Sequence, residues 1–292
     1  MERGFTLKTN ILKALINLDS VGNNNVSQIY QSKNRINSVG ESLEYFIKDI
    51  FCDSFNIEEV KDKEKNYSNY LSYSGNQNNP PDFIIENGDA VEVKKIQSQG
   101  SNIALNSSFP KDKLYKTDSR ITKACKNIDE EWDEKDIIYV IGVVKKGKLK
   151  LLWLVYGDCY AADKEIYLKL FNGISDYIND MRYEFAQTNE IGKVKRVDPL
   201  GITDFRIRGM WHIKNPLNVF NYLDSVYYNK DNDLEVYAIM KDEKYNSFDK
   251  SYREKLENES SPNLKVNDVE IKNPNNPVNY INSKLIKGTY NF

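Results

Sequence analysis

Histidine is almost missing from this chain, since His212 is the only one among 292 residues. Nucleases of the HNH type, hydrolases of the phospholipase-D type and histidine-rich zinc hydrolases all depend on several histidines, so these classes are disfavoured. The sequence also lacks G-x-x-x-x-G-K-[ST] and G-x-S-x-G, which argues against an ATPase and against a serine hydrolase. Metal-dependent chemistry built on carboxylates and lysines is not excluded.

Cysteine is scarce as well, and long apolar runs do not occur. The three cysteines, at positions 52, 125 and 159, lie far apart and form no C-x-x-C pair. This pattern disfavours a disulfide scaffold or a zinc site and leads us to expect a reducing cytoplasm. Because no apolar run approaches about 18 residues, we expect no membrane-spanning helix. The first residues do not have the order of a signal peptide.

An excess of charge of either sign is also missing. Lysine and arginine together number 41, against 43 aspartates and glutamates, which gives a net charge of −2. A DNA-binding protein can be neutral overall if its cations are clustered, but this balance argues against indiscriminate binding of polyanions. Hydrophobic residues make up 40% of the chain, which is enough for a folded core.

The hydrophobic pattern predicts helices and strands in alternation. We predict helices over 5–18, 38–53, 119–131, 162–183 and 216–225. We predict strands over 82–86, 90–96, 136–144, 149–156 and about 203–208. The strand over 136–144 is apolar almost throughout, as is typical of a central strand that is buried on both faces. The order of elements predicts an α/β protein with a mixed central sheet flanked by helices.

The length allows one large domain or two small ones, and we find neither an internal repeat nor a long low-complexity linker. We therefore predict a single domain over residues 1–292. The residues after about 241 are polar. We expect 242–292 to form a peripheral elaboration, or to wrap around a partner subunit.

The most informative segment combines a Pro-Asp pair, which ends at Asp82, with the Glu-x-Lys triplet of Glu92 and Lys94. An apolar run follows Asp82, and Asn87-Gly88 is a strong hairpin signal. On the return strand Glu92 and Lys94 share a face, about 6 to 7 Å apart. Two carboxylates and an amine can hold a divalent cation beside a phosphodiester and orient a water to attack it. The alternative is an ordinary solvated hairpin.

The length of the turn decides whether these three groups meet. A two-residue loop would place Asp82 opposite Val93, on the wrong face of the return strand. We predict a three-residue loop over 87–89 that pairs Asp82 with Lys94 and gives Gly88 a positive φ, or a bulge with the same effect.

A fourth acid lies on the helix that precedes the hairpin. This helix has one apolar stripe, which consists of Leu43, Phe46, Ile47, Ile50 and Phe51. Glu44 lies near the edge of the stripe and can approach a site at the sheet edge, whereas Glu41 lies nearly opposite the stripe and should face solvent. Both acids could instead only balance the helix dipole.

The motif of Asp82, Glu92 and Lys94, with Glu44 on a preceding helix, resembles the PD-(D/E)xK nuclease superfamily, which includes most type II restriction endonucleases. The segments that look like the NgoPII-type restriction endonucleases are 34–41, the motif itself, 104–114, 198–203 and 206–211. The likeness runs from about 34 to about 225. It implies a GGCC target and cleavage that leaves a 5′-phosphate and a 3′-hydroxyl.

We predict that Asp82, Glu92 and the Val93 carbonyl bind Mg²⁺, with Glu44 assisting through a water. Mg²⁺ takes octahedral oxygen coordination and keeps several waters, which suits a few carboxylates without histidine. Lys94 would orient the attacking water and stabilise charge on the phosphate.

Two clusters are candidates for DNA contact. The first follows the motif strand and consists of Asn106, Ser107, Ser108, Lys111 and Lys113. Its polar side chains can contact phosphates or base edges, unless the segment is only a polar loop. In the second cluster, Arg206 and Arg208 share a strand face while Phe205 and Ile207 pack inward. Paired arginines suit guanine O6 and N7, although both could be surface ion-pair partners.

These predictions favour a homodimeric type II restriction endonuclease that cuts double-stranded DNA at a palindrome, one active site per strand. A cognate DNA methyltransferase would protect the same site in the cell. Two alternatives stay open: a repair or junction-resolving nuclease of the same fold, and a non-catalytic DNA-binding protein with a chance motif.

Overall fold

The computed structural model describes residues 8–26, 39–76, 79–129, 131–180, 191–258 and 261–292. The helices are α1 (Ile11–Asp19), α2 (Val39–Cys52), α3 (Val60–Tyr67), α4 (Lys123–Lys126), α5 (Lys164–Asn179), α6 (Pro216–Val219), α7 (Asp242–Ser247) and α8 (Lys250–Glu257). The strands are β1 (Leu71–Asn76), β2 (Asn79–Ile85), β3 (Ala90–Ile96), β4 (Ile103–Asn106), β5 (Lys113–Tyr115), β6 (Glu134–Lys145), β7 (Lys148–Tyr156), β8 (Gly192–Val194), β9 (Phe205–Ile207), β10 (Trp211–Ile213), β11 (Leu234–Lys241), β12 (Leu264–Lys272) and β13 (Tyr280–Tyr290). Within these ranges no helix is both long enough and apolar enough to cross a membrane.

A large mixed sheet forms the centre of the molecule. Its strand order is β1-β2-β3-β6-β7-β11-β13-β12, and β5 pairs with one end of β6. The pairs β3–β6 and β7–β11 are parallel, while the other neighbours are antiparallel. Helices flank this sheet, which confirms the predicted α/β fold class. The ribbons β4–β10 and β8–β9 lie outside it.

Strand β6 is the buried central strand that the sequence predicts. Eight consecutive residues, from Ile137 to Val144, are buried. A two-residue turn joins β6 to β7, with Lys146 and Gly147 both at positive φ, 50° and 79°. A tight hairpin of this kind matches the twist of its strands and favours glycine at such a position.

Helix α2 packs closely onto the sheet through the predicted stripe, whose five apolar residues are all fully buried. Gly142 of β6 permits this approach, because a Cβ there would lie 2.6 Å from Leu43. Helix α1 contacts the C-terminal end of α2, where the side-chain amide of Asn17 donates a hydrogen bond to the Ile50 carbonyl at 2.7 Å. The position of α2, and of Glu44 on it, is therefore fixed by the core.

Several predicted elements are shorter in the structure. The helix predicted over 119–131 is reduced to α4, and the helix predicted over 216–225 ends at Val219, after which Phe220 turns into the core and stacks on Trp153. Predicted strand 203–208 is reduced to β9, which has only β8 beside it. The start of predicted helix 5–18 and the end of predicted helix 162–183 fall outside the described residues.

The segment after residue 241 differs from the expected peripheral elaboration. Strand β13 pairs with β11 along eight residues, and β12 follows as the outer strand. Leu285 and Ile286 of β13 are fully buried in the core. In the sequence, polar residues precede and follow this pair of apolar residues, which made the segment look peripheral.

Lys244 of α7 connects this late segment to the motif hairpin. Its ammonium lies 2.7 Å from Asp89, at the end of the hairpin, and 2.6 Å from Asp136 of β6. Tyr156 donates its hydroxyl to the other Asp89 oxygen at 2.6 Å. Since Asp89 is 6% exposed, the hairpin end is held by a largely buried charge network.

Lys244→Met should lower the free energy of unfolding by about 2–4 kcal/mol, because two partly buried carboxylates lose their shared cation. Lys250→Met is the matched control, since its ion pair with Glu254 is exposed and should contribute less than about 1 kcal/mol. Urea unfolding of both variants measures the difference. Equal effects of the two substitutions would show that the network does not anchor the hairpin.

Candidate active site

The β2–β3 hairpin turns through three residues, from Glu86 to Gly88. Ile85 donates its N–H to the Asp89 carbonyl at 3.0 Å, and Gly88 donates its N–H to the Ile85 carbonyl at 2.8 Å. The odd length agrees with the prediction, but the loop begins one residue earlier than predicted. Positive φ occurs at Asn87, at 55°, rather than at Gly88. Asparagine tolerates this left-handed conformation, so the turn forms without a glycine there.

The shift in the loop changes the partner of Asp82. Ile84 pairs with Ala90, and the same register continued along the strands puts Asp82 opposite Glu92. The prediction that Asp82 pairs with Lys94 is therefore wrong, because the observed partner lies two positions earlier on β3. Because side chains alternate with a period of two, the shift leaves the motif groups on one face.

The three motif side chains meet in one cleft, of about 940 Å³. Asp82 accepts the Val93 N–H through Oδ2 at 2.6 Å. Lys94 donates to Glu92, with 2.5 Å between Nζ and Oε1. The carboxylates and the amine are thus held by the two paired strands rather than by a mobile loop.

The electrostatics of this cleft are unusual for Asp82. Burial, followed by the charges of Glu92 and Glu44, raises the pKa of Asp82 to about 7, although Lys94 and the Val93 N–H act to lower it. A carboxyl group with so high a pKa lacks sufficient compensation for its negative charge. The cleft therefore favours an additional positive charge next to Asp82.

Lys94 keeps its own charge in this environment. Burial acts to lower the pKa of Lys94, but the negative charges of Glu92, Asp82 and Glu44 raise it above the ordinary value. Lys94 can thus donate hydrogen bonds and neutralise an anion, but it is poorly suited to accept a proton.

Glu44 lies within electrostatic reach of the hairpin, since its charge acts on both Asp82 and Lys94. It is held one helical turn from Lys48 by an ion pair of 2.8 Å. Glu41, which we expected to face solvent, is half-buried.

The walls of the cleft contain part of the predicted DNA-binding set. Asn106, Ser107 and Arg208 line the cleft, and Ser108 lines a small adjoining pocket with Glu92 and Lys94. Arg206 is exposed and is not part of the lining.

The expected inward packing of Phe205 is not observed, since 58% of this residue is exposed. Its strand, β9, belongs to the two-stranded ribbon β8–β9, which lies outside the central sheet.

The two predicted lysines have structural partners instead. Lys111 is 7% exposed, pairs with Asp118 and lies 4.9 Å from the centre of the Phe109 ring. Lys113 pairs with Asp136 at 3.0 Å and with Glu134 at 3.2 Å. Lys111 also lines the small pocket that contains Glu92 and Lys94.

An arginine that the sequence did not single out, Arg120, lines the cleft beside the motif residues. Its guanidinium lies 5.3 Å from the centre of the Phe109 ring. Phe109 stacks on Tyr167 of α5, and both rings meet Trp211 edge-on. These side chains come from distant parts of the sequence, so no local pattern could reveal the cluster.

Comparison with known proteins identifies the family of the chain. The family model for the NgoPII restriction endonuclease matches residues 9–272. The chain belongs to this family. The type II restriction enzyme NgoPII of Neisseria gonorrhoeae is 47% identical over 279 residues, which cover 95% of this chain and 98% of that protein. No solved structure matches the chain significantly.

Membership of the NgoPII family makes the chain a type II restriction endonuclease, a site-specific deoxyribonuclease whose substrate is DNA. The match extends beyond the predicted likeness over 34–225 and includes α1 and β12. It decides against the repair-nuclease and non-catalytic alternatives.

Type II restriction endonucleases generally need a divalent metal ion, and the cleft has suitable donors for one. Asp82 and Glu92 are adjacent carboxylates, and the raised pKa of Asp82 marks a lack of positive charge. Within the described residues no cluster of three or more His, Cys, Asp or Glu is arranged to hold a metal. An ion that binds few protein groups and retains waters fits this donor set.

The pKa of Asp82 also predicts how stability depends on pH. A carboxyl group whose pKa is higher in the folded chain than in the unfolded chain stabilises the fold below pH 4, and this contribution is lost as the pH rises through about 7. Asp82→Asn, which can still accept the Val93 N–H, should therefore raise the free energy of unfolding by roughly 3 kcal/mol at pH 8 without metal. The gain should shrink towards pH 4.

Urea unfolding in the presence of a chelator measures this dependence. Glu86→Gln, at the exposed turn of the same hairpin, is the control and should give no comparable trend. A gain for Asp82→Asn that does not change with pH would contradict the raised pKa.

Proposed function

We propose that this restriction endonuclease cuts double-stranded DNA at a short G·C-rich palindrome, with Mg²⁺ as its metal. The observation that carries the proposal is the meeting of Asp82, Glu92 and the charged Lys94 in one cleft. A GGCC target, with 5′-phosphate ends, rests on the resemblance to NgoPII-type enzymes.

Asp82 and Glu92, with the Val93 carbonyl, would hold Mg²⁺, and Glu44 would assist through a water. The chemistry that such a cation supplies is a more acidic water and a polarised phosphate. The hydrogen bond from the Val93 N–H fixes the Asp82 carboxylate in the direction of the cleft.

Lys94 would act as a fixed positive group and not as a base. Its ammonium has three N–H donors and remains ionised beside Glu92. It can therefore orient the attacking water and stabilise the charge that develops on the phosphate. Preorganisation on a strand makes this stabilisation available without rearrangement.

Side chains in the cleft wall would read and position the DNA. Asn106, Ser107 and Ser108 can contact base edges or phosphates, and Arg208 can make bidentate contacts with guanine. Arg206, which lies outside the lining, would contact the flanking backbone. Lys111 and Lys113, which form ion pairs in this conformation, would contact phosphates once those pairs open.

The enzyme would act as a homodimer in the cytoplasm. A two-fold dimer presents one active site to each strand of a palindrome. The three cysteines are free and buried, in keeping with a reducing compartment. A cognate methyltransferase would modify the same sequence in the cell.

Asp82→Ala and Lys94→Ala should each reduce cleavage by roughly 10²–10⁴-fold, because they remove a metal ligand and the fixed cation. Digestion of plasmid DNA with Mg²⁺, followed by sequencing of the ends, measures rate, target and cut position. Lys95→Ala, an exposed neighbour on the other face of β3, is the control and should cut normally. Near-normal cutting by Lys94→Ala would refute its assigned role.

Arg208→Ala should weaken binding to the target duplex by about 1–3 kcal/mol and binding to a scrambled duplex much less. Arg206→Ala should weaken both to a similar and smaller extent, because it lies outside the cleft lining. Fluorescence anisotropy with duplexes of equal length measures both affinities. Equal losses for Arg208→Ala on the two duplexes would identify it as a phosphate contact.

A further inference from the structure

Helix α5 is apolar on two neighbouring faces, whose centres lie roughly 90° apart at 100° per residue. On its inner face, Tyr167 stacks on Phe109, Phe171 lines the cleft and Ile178 is buried. On its outer face four large apolar residues are exposed: Ile166 (54%), Leu170 (55%), Ile174 (39%) and Tyr177 (72%). A surface helix normally buries its apolar stripe, so a row of large apolar residues that stays exposed beside the buried face indicates that another surface covers it.

The outer stripe, formed by these four residues, has a shape suited to a second helix. The residues follow one another at intervals of four, four and three, and so form a continuous row. Gly173 lies in the middle of the row, and a Cβ there would meet nothing within 4 Å. With Lys169 these residues line a shallow groove of about 520 Å³. Small residues at the centre of a helix face permit close approach of a partner backbone.

The charges beside the outer stripe identify the partner. Lys169 and Asp176 are both exposed and seven residues apart, so they lie on the same side of the stripe, one on each side of Gly173. Neither forms an ion pair among the described residues. Two copies of α5 that cross antiparallel at Gly173 would place each Lys169 opposite the other copy's Asp176. Parallel copies would bring each Lys169 level with the other copy's Lys169, and not with its Asp176, so this pairing could not form.

We propose that a second copy of this chain docks on the outer stripe, with the two α5 helices antiparallel about a two-fold axis. Such a contact is isologous, because the same patch faces itself. Stable interfaces bury about 800 Å² on each partner, more than one 24 Å helix face supplies. The contact therefore extends to the ribbon β8–β9, which packs beside Ile178 and carries the exposed Phe205.

This arrangement links assembly to the cleft. Tyr167 and Phe171, which directly follow two members of the outer stripe, lie on the neighbouring inner face and contact or line the cleft wall. The inference supplies the interface for the homodimer of the proposed function. Its test measures oligomeric state and needs no cleavage, so the two proposals can fail separately.

Sedimentation of the full-length protein at micromolar concentration should give a dimer. Leu170→Glu combined with Ile174→Glu should raise the dissociation constant by roughly 100-fold or more, because four buried carboxylates would meet at the axis. Phe292→Glu is the matched control, since Phe292 is 49% exposed and lies beside Asp233 and the start of β7, whereas α5 follows the end of β7. It should leave the dimer intact.

A charge exchange tests the antiparallel register. Lys169→Glu alone and Asp176→Lys alone should each weaken the dimer, whereas the double variant should restore it. Thermal unfolding of each variant excludes a general folding defect. A monomeric wild type, or a dimer that survives the paired glutamates on α5, would overturn the proposal. Single charge variants without effect would overturn the antiparallel register.

Discussion

The repulsion between the carboxylates of Asp82 and Glu92 is the interaction on which the site depends. Pairing of β2 with β3 brings these two acids together, and burial prevents water from screening them. The Val93 N–H and the Lys94 ammonium offset part of the repulsion. What is left favours a cation, which supports the proposed metal site.

The rest of the fold keeps this arrangement from relaxing. Helix α2, locked against Gly142, holds Glu44 near the pair, and the network of Lys244 fixes the far end of the hairpin. Two neighbouring acids could otherwise separate through a small slip of the strands. Preorganised catalytic groups generally require rigid surroundings of this kind.

The sequence predicted features that depend on local periodicity. The stripe of α2, the buried strand β6 and the odd length of the motif turn all follow from residues close together in the chain. It could not predict contacts between distant segments, such as Arg120 beside the motif or the ion pairs of Lys111 and Lys113. Strand β13 was missed for the same reason, because alternating polarity indicates a face but does not identify the partner strand.

The distance in sequence between Asp89 and its cation has a consequence for biosynthesis. The two residues are 155 positions apart, so the ribosome makes the acid pair long before it makes Lys244. Strand β11, which carries the sheet beyond β7, is also made late. A growing chain therefore contains the motif without the contacts that support it. The hairpin is therefore stabilised by Lys244 only after most of the chain has been translated.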